Sequence, residues 1–352
     1  MTKLRRFSLT AYEAPLCETI VDCPEPKGTE ILVRIERCGV CHSDLHMQDG
    51  YFSLGEGKTL DVRAGRALPF TLGHEIAGVV ESAGPDADVK PGAKVAVFPW
   101  IGCGQCAACR AGEENLCNTN RHLGIAADGG FASHVLVPHP RYLIDHAPLS
   151  PSFAGTLMCS GLTAYSALKR LTEHAKRGPA LLVGLGGVGM MGLSIAKALF
   201  PHPPIVADID AGKRDAALKA GASAAFDPSD KEARRAILKT TGGGVYAACD
   251  FVGSEKSLAF TTGVLAKSGK VVVTGLLGGN FQTPVAMIPL KAMTIEGTMT
   301  GTLAETQEVV ALAKAGKIAP LPITERPLNQ ASEALDDLRA GRVVGRIVLA
   351  DG

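Results

Sequence analysis

The stretch LLVGLGGVGMMGLSIAKALFPHPPIVADID, from Leu181 to Asp210, decides the fold of this chain. It opens with an apolar run that predicts a short buried strand, and Val188 to Leu199 hold helix formers that predict a helix. Between them lies a G-x-G-x-x-G pattern at Gly184, Gly186 and Gly189. Strand, glycine turn and helix in this order predict the first half of a βαβ unit.

A second strand is predicted at Ile205 to Ala207, and Asp208 stands at its end. This order suits a dinucleotide, because glycines let the backbone approach the pyrophosphate and the helix N-terminus presents free N–H groups to it. A carboxylate at the end of the second strand binds the ribose hydroxyls and repels a 2′-phosphate, so Asp208 favours NAD over NADP. One alternative is a βαβ crossover whose glycines serve only close packing. The other, a transmembrane helix, conflicts with the glycines, with Lys197 and with the prolines that follow.

Composition narrows the class of partner. The chain has 352 residues, enough for two domains of ordinary size. Lys plus Arg number 36 against 35 Asp plus Glu, so the net charge of +1 offers no broad field to nucleic acid or to an anionic membrane. A small-molecule partner is therefore expected. The N-terminal segment has no apolar core of signal-peptide length, which predicts a cytoplasmic protein, and ten cysteines in a reducing compartment indicate metal ligands or reactive thiols.

The pattern of apolar residues changes along the chain. Up to residue 155, short β-rich runs such as Ile31 to Ile35 and Ile76 to Glu81 alternate with turn residues and predict a mostly β domain with long loops. Residues 156–297 alternate apolar strands with helical segments, which predicts a doubly wound, Rossmann-type parallel sheet. Residues 298–352 predict helix, helix and strand. The expected fold class is α/β.

Four clustered cysteines predict a metal site. GCGQCAACRAGEENLC spaces Cys103, Cys106, Cys109 and Cys117 as C-x2-C-x2-C-x7-C. Four thiolates can complete a tetrahedral shell around Zn²⁺ and leave no position for a substrate, which is typical of a structural zinc. A 4Fe–4S cluster can use a similar spacing, although its fourth cysteine usually lies beside a proline or in a distant segment. Unligated thiols on a loop are the third alternative.

Two further motifs place thiol or imidazole groups beside glycine: GVCHSDLH from Gly39 to His46 and GHE from Gly73 to Glu75. With them, the chain resembles the zinc-dependent alcohol dehydrogenases of the medium-chain dehydrogenase/reductase superfamily. The resemblance extends through the four-cysteine segment, CSGLTAY from Cys159 to Tyr165, GLGGVG, and GRIVL from Gly345 to Leu349. It implies a GroES-like, mostly β catalytic domain formed by residues 1–155 and 298–352, beside the dinucleotide-binding domain at 156–297. It also implies reversible oxidation of an alcohol to an aldehyde or ketone with hydride transfer to NAD.

A second, catalytic zinc is part of that implication. The resemblance makes Cys41, His74 and Cys159 its protein ligands and leaves a fourth position open, an arrangement known for catalytic zinc. Taken singly, His74 and Cys159 would more often be core residues, and only their coincidence with the family motifs favours ligation.

The resemblance assigns further side chains to the catalytic chemistry. Asp44 is expected to orient His74 through its other ring nitrogen, and Glu75 to be an outer or transient ligand. Ser43 and His46 match the proton relay of the family, with Ser43 on the substrate oxygen. Trp100, the only tryptophan, resembles an aromatic residue of the substrate-pocket wall, with core packing as its alternative.

Cofactor contacts and assembly are implied in the same way. Thr163 is expected at the nicotinamide, Lys213 at the ribose beside Asp208, and Arg346 at the pyrophosphate. A homodimer or homotetramer is expected, formed through the sheet edge around Thr283 to Met299. The expected contacts in the glycine turn are Gly184, Gly186, Gly187, Val188 and Gly189.

The substrate is less well defined by the sequence. The segment from Gly50 to Thr71 is longer than the usual connection of the family and, with ITERPL at Ile323 to Leu328, resembles the branch that includes 6-hydroxyhexanoate dehydrogenases. One hypothesis is that its cations Lys58, Arg63 or Arg66 meet the carboxylate of an ω-hydroxy acid, although charged loop residues are usually only solvated.

Three other functions compete with an alcohol dehydrogenase. A polyol dehydrogenase of the superfamily usually has Glu in place of Cys159. A zinc-free quinone reductase lacks both metal sites. A non-catalytic dinucleotide sensor has no need of intact Cys41, Ser43 and His74.

Overall fold

Two large sheets organise the chain in the computed structural model, which describes residues 3–351. The strands are β1 (Lys3–Leu9), β2 (Cys17–Asp22), β3 (Ile31–Gly39), β4 (Tyr51–Gly55), β5 (Lys58–Asp61), β6 (Phe70–Thr71), β7 (Glu75–Ala83), β8 (Lys94–Val97), β9 (His134–Val137), β10 (Leu143–Asp145), β11 (Leu181–Val183), β12 (Ile205–Ala207), β13 (Ala224–Phe226), β14 (Val245–Asp250), β15 (Leu265–Val273), β16 (Thr294–Gly297), β17 (Ile323–Pro327) and β18 (Arg346–Ala350). The α-helices are α1 (His42–Asp49), α2 (Ala107–Arg110), α3 (Pro151–Thr156), α4 (Leu162–Lys169), α5 (Thr172–Ala175), α6 (Gly187–Leu199), α7 (Ala211–Lys219), α8 (Ala233–Thr240), α9 (Glu255–Gly263), α10 (Met287–Lys291), α11 (Leu303–Lys314) and α12 (Ala331–Arg339).

A mostly antiparallel sheet joins the first part of the chain to its last strand. Its order is β10-β8-β7-β3-β18-β17, and β9 also pairs with β3. Gly39 at the end of β3 lies opposite Glu75 of β7 on one side and opposite Val348 of β18 on the other. The strand that leads to Cys41 is therefore fixed from both sides, by segments far apart in sequence.

The second sheet is the predicted doubly wound one. Its six strands are all parallel, in the order β13-β12-β11-β14-β15-β16. Leu182 packs into the apolar core on one face, and Leu181 and Val183 pack into the core on the other. The strand order reverses between β11 and β14, and a crevice is expected outside the carboxyl ends of the strands at such a point. The predicted fold class is confirmed.

Two segments hold structure that the sequence pattern did not reveal. Within the long Gly50 to Thr71 segment, β4 and β5 form a hairpin. Its tip reaches the loop after β15, where Asn280 Nδ2 donates to Glu56 Oε1 at 3.0 Å. Between α3 and α4, Leu157–Gly161 form a π-helical turn. No helix within residues 3–351 has both the length and the apolar character that a membrane span requires.

Helix α6 begins so close to β11 that one glycine has no room for a side chain. A Cβ at Gly189 would lie 1.7 Å from the carbonyl oxygen of Gly184, whereas a Cβ at Gly186 would have no neighbour within 4 Å. We expect Gly189→Ala to force the helix away from the turn and to cost about 1–3 kcal/mol, as overpacking does. The apparent midpoint of thermal unfolding should fall for this variant and stay near the wild-type value for the control Gly186→Ala. Equal midpoints for the two variants would contradict the packing argument.

Candidate active site

Three candidate ligand side chains from separate elements converge beside a cleft, and two of them, Cys41 and Cys159, line it. Cys41 precedes α1, His74 precedes β7, and Cys159 lies in the π-helical turn. Their ligand atoms all lie within 4.8 Å of one another, and the Cys41 and Cys159 sulfurs are 4.0 Å apart. Two thiolates of a tetrahedral zinc site lie about 3.8 Å apart when each Zn–S bond is about 2.3 Å. The spacing therefore fits a zinc ion.

The donor chemistry fits the same ion. Both ring nitrogens of His74 are buried and have no hydrogen-bond partner within residues 3–351, although buried polar atoms are normally paired. A hydrogen bond from Cys159 lowers the pKa of Cys41 well below its usual range, and the Cys41 thiolate together with burial raises the pKa of Cys159. A dication between the two sulfurs would stabilise both as thiolates. Both cysteines line the cleft, so the fourth position of a tetrahedral site is open to it.

Asp44 holds the segments that carry two of these ligands. Its carboxylate is fully buried and accepts hydrogen bonds from the backbone N–H of Cys41 at 2.8 Å and of Gly73 at 3.1 Å. The same carboxylate lies 3.3 Å from Nδ1 of His74. From this position the carboxylate can orient the imidazole, as the hydrogen-bonded carboxylates beside metal-bound histidines do.

Glu75 and Arg346 form a buried ion pair behind the metal-binding side chains. Oε1 of Glu75 also accepts a hydrogen bond from the backbone N–H of Ser160 at 3.2 Å, beside Cys159. Burial raises the pKa of Glu75, and the Arg346 charge opposes that rise. A Cβ on Gly187 would lie 3.1 Å from Nη1 of Arg346, so the guanidinium also reaches the first turn of α6. Arg346 thus stands between the predicted zinc site and the predicted pyrophosphate site.

The two predicted relay residues line the cleft from α1. Ser43 and His46 are three positions apart, so their side chains lie on one face of the helix. The ring of His46 packs against Phe52 of the β4–β5 hairpin, with the centroids 4.5 Å apart. Partial burial lowers the pKa of His46, and the nearby His42 acts in the same direction. Both effects favour the neutral form of the His46 imidazole.

The predicted cofactor residues share one cleft of about 690 Å³ with the ligand cysteines. The Asp208 carboxylate accepts hydrogen bonds from the backbone N–H groups of Leu185 at 2.6 Å and Asp210 at 2.9 Å, which fix it beside the glycine turn. The open space at Gly186 leaves room for a close approach of a pyrophosphate. The predicted residues that line this cleft are Thr163, Gly184, Gly186, Gly187, Val188, Gly189, Asp208, Lys213 and Arg346.

Trp100, expected in the substrate-pocket wall, is not among the residues that line the cleft. It is only 3% exposed, and its indole N–H donates to the carbonyl oxygen of Met158 at 2.9 Å. Its ring centroid lies 5.5 Å from that of His74. Trp100 therefore supports the turn that carries Cys159 and packs beside His74, which agrees with the core alternative.

The cations of the long segment also have other partners than the expected carboxylate. Arg63 pairs with Asp61 at 2.6 Å, and Arg66 donates to the carbonyl oxygens of Ile125 and Val62. Lys58 projects from the hairpin, with its side chain 74% exposed. None of the three cations is among the residues lining the cleft. The hypothesis that they bind a substrate carboxylate is not supported.

The four-cysteine segment forms a separate, closed donor set. The sulfurs of Cys103, Cys106, Cys109 and Cys117 all lie within 4.8 Å of one another. The backbone N–H groups of Cys103 and Gln105 donate to sulfurs at 3.3 and 3.5 Å, and the Gln105 bond contributes most to lowering the pKa of Cys103 to about 5. Thiolates held by N–H donors in a tetrahedral cluster fit a structural zinc.

Comparison with known proteins agrees with this geometry. Residues 27–147 match the alcohol dehydrogenase GroES-like domain, and residues 187–315 match the zinc-binding dehydrogenase family. A NAD-dependent alcohol dehydrogenase of Sulfurisphaera tokodaii is 38% identical over 98% of this chain and 99% of its own length. A D-arabinose 1-dehydrogenase (NADP(+)) of Saccharolobus solfataricus is 32% identical over 99% of this chain and 98% of its own. The crystal structure of the alcohol dehydrogenase from Aeropyrum pernix has a TM-score of 0.88 and 30% identity, over 98% of this chain and 99% of that one.

The role of Asp44 can be tested by metal content. Asp44→Asn keeps the shape but replaces an acceptor oxygen by a donor, so we expect the zinc affinity of the Cys41 site to fall roughly 10- to 100-fold. Zinc should be measured by mass spectrometry after dialysis against a graded chelator. Asp49→Asn on the same helix, whose carboxylate pairs with Arg339 instead, is the control. Zinc retention by Asp44→Asn as strong as in the control would refute the orienting role.

The four-cysteine set can be tested separately. Cys109→Ser should remove one zinc per chain and lower the thermal unfolding midpoint, because metal binding contributes directly to the stability of such a segment. The zinc at Cys41 should remain. Cys17→Ser, at an exposed free thiol, should change neither quantity, and an unchanged zinc content in Cys109→Ser would argue against a metal in this segment.

Proposed function

The chain belongs to the zinc-binding alcohol dehydrogenase family, and from this premise we propose that it is a zinc- and NAD-dependent alcohol dehydrogenase. The reaction is the reversible oxidation of an alcohol to an aldehyde or ketone, with hydride transfer to NAD. One observation carries the proposal: Cys41 and Cys159, two members of a three-ligand set, line the same cleft as the glycine turn and Asp208. A non-catalytic sensor has no need of an open metal site beside a dinucleotide cleft.

Cys41, His74 and Cys159 would hold the catalytic zinc, which supplies a Lewis acid that favours loss of the proton from an alcohol oxygen. The Ser43 hydroxyl in the cleft accepts that proton and passes it towards His46. His46, whose lowered pKa favours the neutral imidazole, takes the proton in this proposal and releases it to solvent. In the reverse direction the same groups deliver the proton to the carbonyl oxygen. Thr163 is placed by this proposal at the nicotinamide, within the same cleft.

The preference for NAD follows from Asp208. Its carboxylate is fixed by two backbone N–H groups at the end of β12, so a 2′-phosphate would meet a negative charge that cannot turn away. Lys213 lines the same cleft as Asp208 and is proposed as the second ribose contact. The cofactor domain is proposed to span residues 156–297, and residues 1–155 with 298–352 to form the catalytic domain with two zinc sites.

We propose an uncharged alcohol as substrate. Met299, Leu338 and Val343 give the cleft apolar walls, and none of the three cations of the long segment is among the residues that line it. This favours primary or secondary alcohols over the ω-hydroxy acid suggested by the 6-hydroxyhexanoate branch. A polyol or sugar is the alternative, favoured by the similarity to D-arabinose 1-dehydrogenase. Cys159 in the third ligand position favours the alcohol.

A homodimer or homotetramer is also proposed. Strand β16 is the edge of the parallel sheet, and unpaired strand edges invite pairing with another chain. Beside it, Val285 is 78% exposed and Leu290 is 67% exposed. A reducing compartment such as the cytoplasm is proposed because none of the ten cysteines is paired in a disulfide.

The function is tested by NADH formation from a panel of primary, secondary, polyhydroxylated and ω-carboxylated alcohols. We expect turnover of uncharged alcohols with NAD⁺, a much lower kcat/KM with NADP⁺, and no advantage for 6-hydroxyhexanoate over 1-hexanol. Ser43→Ala should lower kcat by about 10²-fold or more, because it removes the group that accepts the alcohol proton.

A control separates the relay from damage to the fold. Ser53→Ala alters a hydroxyl on the hairpin that is not among the residues lining the cleft, and it should keep wild-type kcat. Absence of turnover with every alcohol in a protein that contains both zinc ions would overturn the proposed activity.

A further inference from the structure

One hydrogen bond joins the four-cysteine segment to the wall of the cleft. Asn115 lies between Cys109 and Cys117 and is only 6% exposed. Its Nδ2 donates to the carbonyl oxygen of Met299 at 2.8 Å, across 184 positions of sequence. Met299 lines the cleft together with its neighbours Thr298 and Thr300. Holding a structural metal does not by itself require this contact.

The backbone next to Asn115 is held in place by the buried side chain of its neighbour. The preceding residue, Glu114, is only 3% exposed and accepts hydrogen bonds from the Gly102 backbone N–H at 3.0 Å and from the Tyr142 hydroxyl at 2.7 Å. It also forms an ion pair with Arg141. The amide of Asn115 is therefore presented from a backbone with little freedom to move.

The Met299 end needs support. Thr300 has a φ of 49°, in the left-handed region that is unfavourable for a β-branched residue. Its hydroxyl is buried and has no hydrogen-bond partner among residues 3–351. Such a conformation persists only when its surroundings fix it. The Asn115 contact, one residue away, is one such constraint.

This wall segment lies at the metal-binding end of the cleft. A Cβ on Gly301 would lie 2.7 Å from Cδ1 of Leu162, which shows how closely the segment packs on α4. Leu162 is three residues beyond Cys159, about one helical turn, and it directly precedes Thr163. A displacement of Met299 would therefore shift the packing on Leu162, beside the predicted zinc and nicotinamide sites. The adenosine end, marked by Asp208, would be spared.

We propose that Asn115 is a positioning residue for the alcohol site: it holds the Met299 carbonyl and so makes the four-cysteine segment a support for the catalytic wall. This role rests on the proposed alcohol dehydrogenase function. It predicts that loss of one hydrogen bond, far from the substrate, impairs handling of the alcohol while the adenosine half of the cofactor binds as before.

The test compares Asn115→Asp, which keeps the shape but cannot donate, and Asn115→Ala with wild type. Asn118→Ala, at an exposed asparagine of the same segment, is the matched control. At saturating NAD⁺, we expect kcat/KM for cyclohexanol to fall about 3- to 10-fold in both Asn115 variants, the range that one hydrogen bond supplies. The Kd of ADP-ribose, which lacks the nicotinamide, should stay within about twofold of wild type. Deuterium uptake of the peptide spanning residues 298–302 should quicken, and zinc content should not change.

Each other result is decisive. Unchanged kcat/KM and unchanged deuterium uptake at 298–302 in Asn115→Asp would overturn the proposal. Loss of zinc with faster exchange throughout residues 103–117 would also overturn it, because the role would then be confined to the stability of that segment. If the wild-type protein oxidises no alcohol, the proposed function fails, but deuterium uptake and zinc content still decide whether Asn115 holds this wall.

Discussion

The active site depends on a single buried carboxylate. Asp44 accepts hydrogen bonds from the segments that carry Cys41 and His74 and lies beside the imidazole itself. A buried charge is tolerated only when it is fully paired, so the backbone N–H groups of Cys41 and Gly73 must converge on it. The two ligand segments are thereby brought together by the need to satisfy this charge. A metal ion that binds there meets donors that are already arranged.

The same principle operates at the junction of the two sheets. Glu75 follows the ligand His74, and Arg346 opens the last strand and reaches the first turn of α6. Neither charge is exposed to solvent, so each fixes the other. Both partners lie in the antiparallel sheet, and the Arg346 side chain also packs against Gly187 at the start of α6, close to where metal and cofactor are proposed to meet. The C-terminal strand therefore belongs to the site as well as to the fold.

Structure could be predicted from the sequence where a structural requirement imposes a local pattern of residues. The parallel sheet could be predicted because the glycine turn requires close approach, and β11 and β12 lie at the predicted positions. The four-cysteine cluster could be predicted from its spacing, whereas the convergence of Cys41, His74 and Cys159 was implied only by the family resemblance. The position of Trp100 could not be predicted, because the sequence does not distinguish an aromatic residue that lines a pocket from one that packs under a turn. The partners of Arg63 and Arg66 and the Asn115 contact depend on residues that only folding brings near.

The β4–β5 hairpin gives the cleft a second bridge between its halves. Its tip meets the loop after β15 through Glu56 and Asn280, and a Cβ on Gly55 would lie 2.7 Å from the backbone of Gly279. A displacement of one sheet against the other would separate Glu56 from Asn280. The long Gly50 to Thr71 segment thereby adds a surface contact between distant parts of the chain that a shorter connection would not reach.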